Sequence, residues 1–188
     1  MEQCDGQTDE ELMERVPRER ELFGCIIHRY EDKLRRYLRR VMPWMGDDIE
    51  DVLQEIFLKV YVHARGFDTS LSFSSWVYRI AHNEAVSWLR RKKTRPETVE
   101  LGEDEVHTFL ESVEQARDHA EGRLTHDAVT RVLAEMREKY RTVLVLRFLE
   151  GKSYEEISDI LTVPEGTVAT LVHRAKIEFS KLYHTHHA

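Results

Sequence analysis

Glycine and proline are scarce in this chain of 188 residues, with eight of the first and four of the second. Sandwiches, barrels and doubly wound sheets need a turn residue at short intervals, so this supply argues against them. Cysteine is scarcer. Cys4 and Cys25 make no disulfide framework, and a reducing cytoplasm is the expected setting. No apolar run approaches the length of a membrane span, and the acidic start lacks the basic and apolar regions of a secretory signal. The expectation is a soluble intracellular protein with no membrane insertion. Gly-rich phosphate loops, His-Glu-x-x-His and Cys-x-x-Cys are missing as well. Glu31, Asp32, Glu55 and His28 could suggest a helical metal site, but no Glu-x-x-His pair repeats as a bundle site requires. No catalytic residue, cofactor or metal site is therefore expected, and His184-Thr-His-His187 reads as a disordered tail.

Charge is what the chain has in excess. Charged residues make up 34% of it against an ordinary apolar share of 41%, which suits helices with solvated faces. A net charge of −7 argues against plain polyanion binding, but the charges are segregated. Residues 1–19 hold 2 basic against 7 acidic side chains, and residues 97–122 hold 1 against 9. Between them, residues 20–96 hold 15 against 10. It is such local fields that steer a polyanion.

Helical spacing dominates the first half. Phe23, Ile26, Ile27, Tyr30, Leu34, Tyr37, Leu38 and Val41 predict one buried face, broken by Pro43 and Gly46. Ile49, Val52, Leu53, Ile56, Phe57, Val60, Tyr61 and Ala64 predict a second helix, with Asp47 or Asp48 as N-cap. After the loop 66–75, Trp76, Val77, Ile80, Ala81, Ala85, Trp88 and Leu89 predict a third, which ends in a basic run before Pro96. Residues 97–122 read as an acidic linker. Beyond it, Val129, Val132, Leu133 and Met136 predict one helix. Tyr140, Val143, Leu144 and Phe148 predict another, with Gly151 at its C′ position.

The segment from Ser153 to Lys176 reads as two short helices and a tight turn, the layout of a helix-turn-helix DNA reader. Ser153 and Glu156 fit a capping box, and Pro164 suits a helix start. Ile157, Ile160 and Leu161, then Val168, Leu171, Val172 and Ala175, supply the inward faces. An ordinary αα-hairpin is the alternative. In the third helix Phe73, Trp76, Tyr78, His82 and Trp88 alternate with Arg79, Asn83, Arg90, Arg91, Lys92, Lys93 and Arg95. Aromatic faces beside cations suit single-stranded nucleic acid, where bases need a platform and phosphates need neutralising. Trp76 and Trp88 as core residues, with the basic run as a solvated helix end, is the competing reading.

Asp51-Val-Leu-Gln-Glu-Ile-Phe57, Phe73-Ser-Ser-Trp-Val-Tyr-Arg-Ile-Ala-His-Asn83 and Tyr154-Glu-Glu-Ile with Pro164-Glu-Gly-Thr-Val168 resemble, in this order, bacterial extracytoplasmic-function sigma factors. The resemblance implies an all-α fold of two small helical domains on an acidic flexible linker. Its parts are an N-terminal acidic tail (1–19), sigma domain 2 (20–96), the linker (97–122), sigma domain 4 (123–183) and a C-terminal tail (184–188). It implies a promoter-specificity subunit without chemistry of its own. Asp51, Gln54, Glu55 and Phe57 would dock on the clamp helices of the β′ subunit of core RNA polymerase. Phe73, Trp76, Arg79, His82, Asn83, Arg90 and Arg91 would read and hold the melted −10 promoter element. Arg147, Thr167, Thr170, His173, Arg174 and Lys176 would contact the −35 element, with this domain resting on the β flap.

Partners implied are core polymerase, promoter DNA and an anti-sigma protein covering both domains. The linker would either mimic the polyanion that polymerase's exit path holds or act as a solvated spacer. One departure from the resemblance stands out. Relatives commonly carry two cations in the stretch matching Val168-Ala-Thr-Leu171, and this chain has Ala169 and Leu171 instead. A freestanding dimeric helix-turn-helix regulator is the alternative function.

Overall fold

Local capping signals open some of the helices, and tertiary burial selects which faces the helices hide. The structure, a computed structural model, describes Cys4 and residues 6–92 and 126–187. The linker, with Lys93 and Arg95 of the basic run, lies outside the described residues. Among those described there are eight α-helices and no strand. The fold is all-α. It divides into two compact units, the first drawn chiefly from residues before 95 and the second chiefly from those after.

The first unit begins with α1 (Asp9–Arg15), where the sequence predicts only an acidic tail. Thr8 Oγ1 accepts the Glu11 N–H at 3.1 Å, and the Glu11 carboxylate accepts the Thr8 N–H at 2.8 Å. This reciprocal cap satisfies two donors that a helix start leaves free. Leu12, Met13 and Val16 are then buried to 1% exposure or less. Burial of an aliphatic side chain of this size stabilises a fold by about 1.5–3 kcal/mol, and three of them offset much of the cost of ordering so short a helix. The acidic residues conceal a genuine apolar stripe.

Three longer helices complete this unit: α2 (Phe23–Val41), α3 (Asp48–His63) and α4 (Phe73–Lys92). Ile26, Tyr30, Leu34, Tyr37 and Leu38 of α2 are buried as their spacing predicts, whereas Phe23 and Ile27 are half-buried. Ile49, Val52, Leu53, Ile56 and Val60 line the inner face of α3. Asp47 stands at the N-cap of α3, but its side chain makes no capping bond. On α4, Val77, Ala81, Ala85 and Trp88 face inward, so the core reading of Trp88 is the correct one.

The second unit holds α5 (His126–Glu135), α6 (Glu138–Leu144), α7 (Tyr154–Leu161) and α8 (Glu165–His187). A π-helical turn, Val145–Leu149, extends α6. Val132, Leu133, Val143, Leu144, Val168, Val172 and Phe179 form its apolar interior. Arg141 donates from Nη1 to the carbonyls of Leu133, Ala134 and Met136 at 3.2, 3.3 and 3.1 Å. Those carbonyls lie at the end of α5, where a helix leaves its last carbonyls short of donors. Burial of the guanidinium pushes its pKa down to about 10. The expected C-terminal tail is instead the last turn of α8, which continues to His187 with Tyr183 stacked on Phe179.

Candidate nucleic-acid interface

In the second unit the helix-turn-helix is built as its sequence predicts. Ser153 Oγ accepts the Glu156 N–H at 3.1 Å, and the Glu156 carboxylate accepts the Ser153 N–H at 2.8 Å. Gly151, at φ +66°, turns the chain out of the preceding helical segment, where a side chain would be strained. The turn between α7 and α8 uses Thr162 at φ 56°. Ser158 Oγ donates to the Val163 carbonyl at 2.6 Å and holds that turn in place. The Pro164 carbonyl accepts from Thr167 and Val168, which starts α8.

Thr167, Thr170, His173 and Arg174 lie exposed along α8, opposite the buried Val168, Val172 and Ala175. Lys176 does not share this face. It is half-buried, with Nζ 4.9 Å from the centre of the Phe148 ring, and burial followed by repulsion from Arg147 lowers its pKa. Arg147 is likewise half-buried. It donates to the Lys152 carbonyl at 2.8 Å and lies over the Tyr154 ring. Ala169 is exposed, so the missing cation leaves a small apolar side chain facing solvent. Beside Arg174, a cleft of about 420 Å³ is lined by Arg137, Tyr140, Ile177, Glu178 and Lys181.

In the first unit an aromatic cluster anchors the start of α4. Phe73 is fully buried, its ring centre 5.2 Å from Tyr30, 5.6 Å from Phe67 and 5.7 Å from Trp76. It therefore supports the loop, and its ring is buried where the sequence reading expects a nucleic-acid contact. The Phe73 N–H donates to Glu10 of α1 at 2.8 Å. Asp68 accepts both the N–H and the hydroxyl of Ser70, and the hydroxyl bond first of all lowers its pKa. The loop before α4 is thus internally tied, with Leu71 exposed at its tip.

Of the other expected −10 residues, Asn83, Arg90 and Arg91 are exposed and Trp76 and Arg79 are half-buried. Trp76 stacks obliquely on Phe67 at 4.9 Å. His82 turns toward Tyr37, with the hydroxyl and Nδ1 3.4 Å apart, and burial pushes its pKa down to about 4. It is neutral at pH 7 and serves the helix packing. Arg91 and Lys92 approach carboxylates of α3, at 3.5 Å from Glu55 and 2.9 Å from Asp48.

The outer face of α3 carries Asp51, Gln54 and Glu55, all exposed. Phe57, expected on the docking face, is instead buried beside Phe23. In its place Leu58 and Val62, 62% and 63% exposed, continue the stripe at helical spacing. Sequence reasoning missed both because each was surrounded by core positions. Tyr61, expected in the core, is also exposed. Glu31 and Asp32 are paired with Arg35, and among the described residues no cluster of acidic, His or Cys side chains could hold a metal.

Comparison with known proteins identifies the arrangement. Residues 26–95 match Sigma-70 region 2, and residues 126–178 match Sigma-70, region 4. The chain is 34% identical over 175 residues to an ECF RNA polymerase sigma-E factor of Haemophilus influenzae, covering 90% of this chain and 92% of the relative. It is 32% identical over 170 residues to ECF RNA polymerase sigma factor SigW of Bacillus subtilis, covering 84% and 87%. The fold is similar to that of CnrH in complex with the cytosolic domain of CnrY, at TM-score 0.68 and 22% identity over 94% of this chain and 97% of that one. It is also similar to the sigma factor RpoE bound to the anti-sigma factor NepR from Bartonella quintana, at TM-score 0.63 and 19% identity over 85% and 95%. The chain belongs to the extracytoplasmic-function RNA polymerase sigma factors.

Proposed function

We propose that this chain binds core RNA polymerase in the cytoplasm and directs it to a two-element promoter, with the catalysis left to polymerase. The observation carrying this reading is that one chain joins a region 2 match to a region 4 match that ends in an exposed helix-turn-helix face. In this reading Asp51, Gln54, Glu55, Leu58 and Val62 form the polymerase-docking stripe. The two aliphatic side chains supply the apolar contact that makes such a surface adhesive, and the polar three set its register. Trp76, Arg79 and Asn83 receive the melted −10 strand, while Arg90 and Arg91 neutralise its phosphates.

On α8, Thr167, Thr170, His173 and Arg174 enter the −35 major groove. Lys176 and Arg147 act from the side as phosphate contacts. With few cations on this face, the phosphate contribution to affinity is small, and binding depends on polymerase tethering both units to one promoter. The partners of CnrH and RpoE in their complexes support a regulatory protein that competes for these same surfaces. A freestanding dimeric regulator has nothing in its favour, because residues 20–96 would then be a sensor domain and residues 26–95 match region 2.

The test is a binding measurement with core polymerase and a promoter duplex carrying a fluorescent base in the −10 element. Fluorescence from an unstacked base should rise only when chain and polymerase are both present. A chain that binds and opens the duplex alone, or leaves it closed in polymerase's presence, contradicts the proposal.

A further inference from the structure

Cys4 and Cys25 are joined in a disulfide, with Cα atoms 5.9 Å apart, where the sequence predicts two unrelated thiols. The bond does not stand alone. Arg29, one turn beyond Cys25 on α2, donates to the Cys4 carbonyl at 2.6 Å and to Asp9 at 2.6 Å. The Tyr30 hydroxyl donates to the other oxygen of Asp9. The next residue, Glu10, accepts the Phe73 N–H at the first turn of α4. Tyr30 also packs its ring on Phe73. A continuous set of contacts therefore runs from the two sulfurs, through α1, to the loop that opens α4.

We propose that Cys4 and Cys25 are a reversible thiol–disulfide pair whose redox state sets how firmly α1, and with it the Glu10 cap, holds the start of α4. The oxidant is a low-molecular-weight disulfide such as oxidised glutathione. The half-buried Cys4 sulfur, as thiolate, attacks one sulfur of the reagent and releases one small thiolate. The Cys25 thiolate then displaces the second. The protein loses two protons and two electrons, and both appear on two molecules of reduced small thiol.

The pair is suited to response more than to permanent stapling. Without the covalent bond, α1 keeps the burial of Leu12, Met13 and Val16 and its polar ties to Arg29 and Tyr30. The helix therefore stays folded when reduced, but opens more often, because the segment ahead of Thr8 is no longer covalently fixed to α2. Any consequence for promoter opening rests on the function proposed above.

The experiment uses the full chain in buffers of graded oxidised and reduced glutathione. Thiol alkylation with intact mass should show both cysteines protected together, with a mass lower by two hydrogens and no glutathione adduct. Amide hydrogen exchange at α1 and at the Phe73 N–H should be slower in the oxidised chain by roughly tenfold or more. The Cys4→Ser chain should exchange at the reduced rate in every buffer. Both thiols remaining reactive under oxidised glutathione, a crosslink between two chains, or equal Phe73 exchange in the two states would overturn the proposal. If neither redox state gives promoter-specific transcripts with core polymerase, the proposed function fails, and the exchange result is unaffected.

Discussion

The carboxylate of Glu10 accepts the backbone N–H of Phe73 at 2.8 Å, joining residues 63 positions apart in sequence. A side chain of α1 thus does at the start of α4 what an N-cap residue ordinarily does from within its own helix. Phe73 in turn holds Phe67 and Trp76, so the placement of the loop before α4 depends on a residue that the sequence assigns to a tail.

Replacing Glu10 by Ala should leave the Phe73 N–H without its acceptor in partly buried surroundings. The expected loss of stability is about 1–2 kcal/mol by urea or thermal unfolding. Glu10→Gln, which keeps an acceptor oxygen, should lose less than half as much.

Leu58 and Val62 are mostly exposed, so Leu58→Lys and Val62→Lys should change unfolding free energy by no more than about 0.5 kcal/mol. Affinity for core polymerase should nevertheless fall by roughly tenfold or more per substitution, as expected for apolar anchors of an interface. Titration calorimetry or a competition assay against another sigma factor reads the difference.

His82 makes stability depend on pH, and the sign follows from its lowered pKa. The unfolded chain protonates His82 near its ordinary value of about 6.5, whereas the folded chain resists protonation until about pH 4. The contribution is present above pH 6.5, declines as pH falls through this window and is gone below about 4. Its full size is on the order of 3 kcal/mol. His82→Gln should flatten that part of the pH–stability curve.

Ala169→Arg restores a cation to an exposed position on α8. Binding of the holoenzyme to promoter DNA should strengthen, and the log–log salt slope should steepen by about one for the added phosphate contact. An unchanged slope would place Ala169 away from the DNA.

What the sequence reveals and what it hides divide along the range of the interaction. The Ser153–Glu156 cap and the Gly151 turn obey rules within a few residues, and both stand as read. The directions of Phe57 and Phe73 are set by distant neighbours, Phe23 and Tyr30. A resemblance transfers their positions in a motif but not which way their rings point. Leu58 and Val62 carry no local mark distinguishing them from core residues, since their exposure depends on which of the described helices pack against α3. The pairing of Cys4 with Cys25 and the helix α1 depend on tertiary burial for the same reason. Lys176 is turned toward Phe148 by a face of α8 whose phase the spacing alone fixes only within a residue.

Promoter direction by this chain is measured by reconstituting it with core polymerase on a library of promoter sequences and sequencing the run-off transcripts. Transcripts should come from a restricted set with two conserved blocks. Asn83→Ala should alter the selected sequence in the downstream block, and Arg174→Ala should alter it in the upstream block. Transcripts no more selective than those of core polymerase alone, or a selection unchanged by both substitutions, would contradict it.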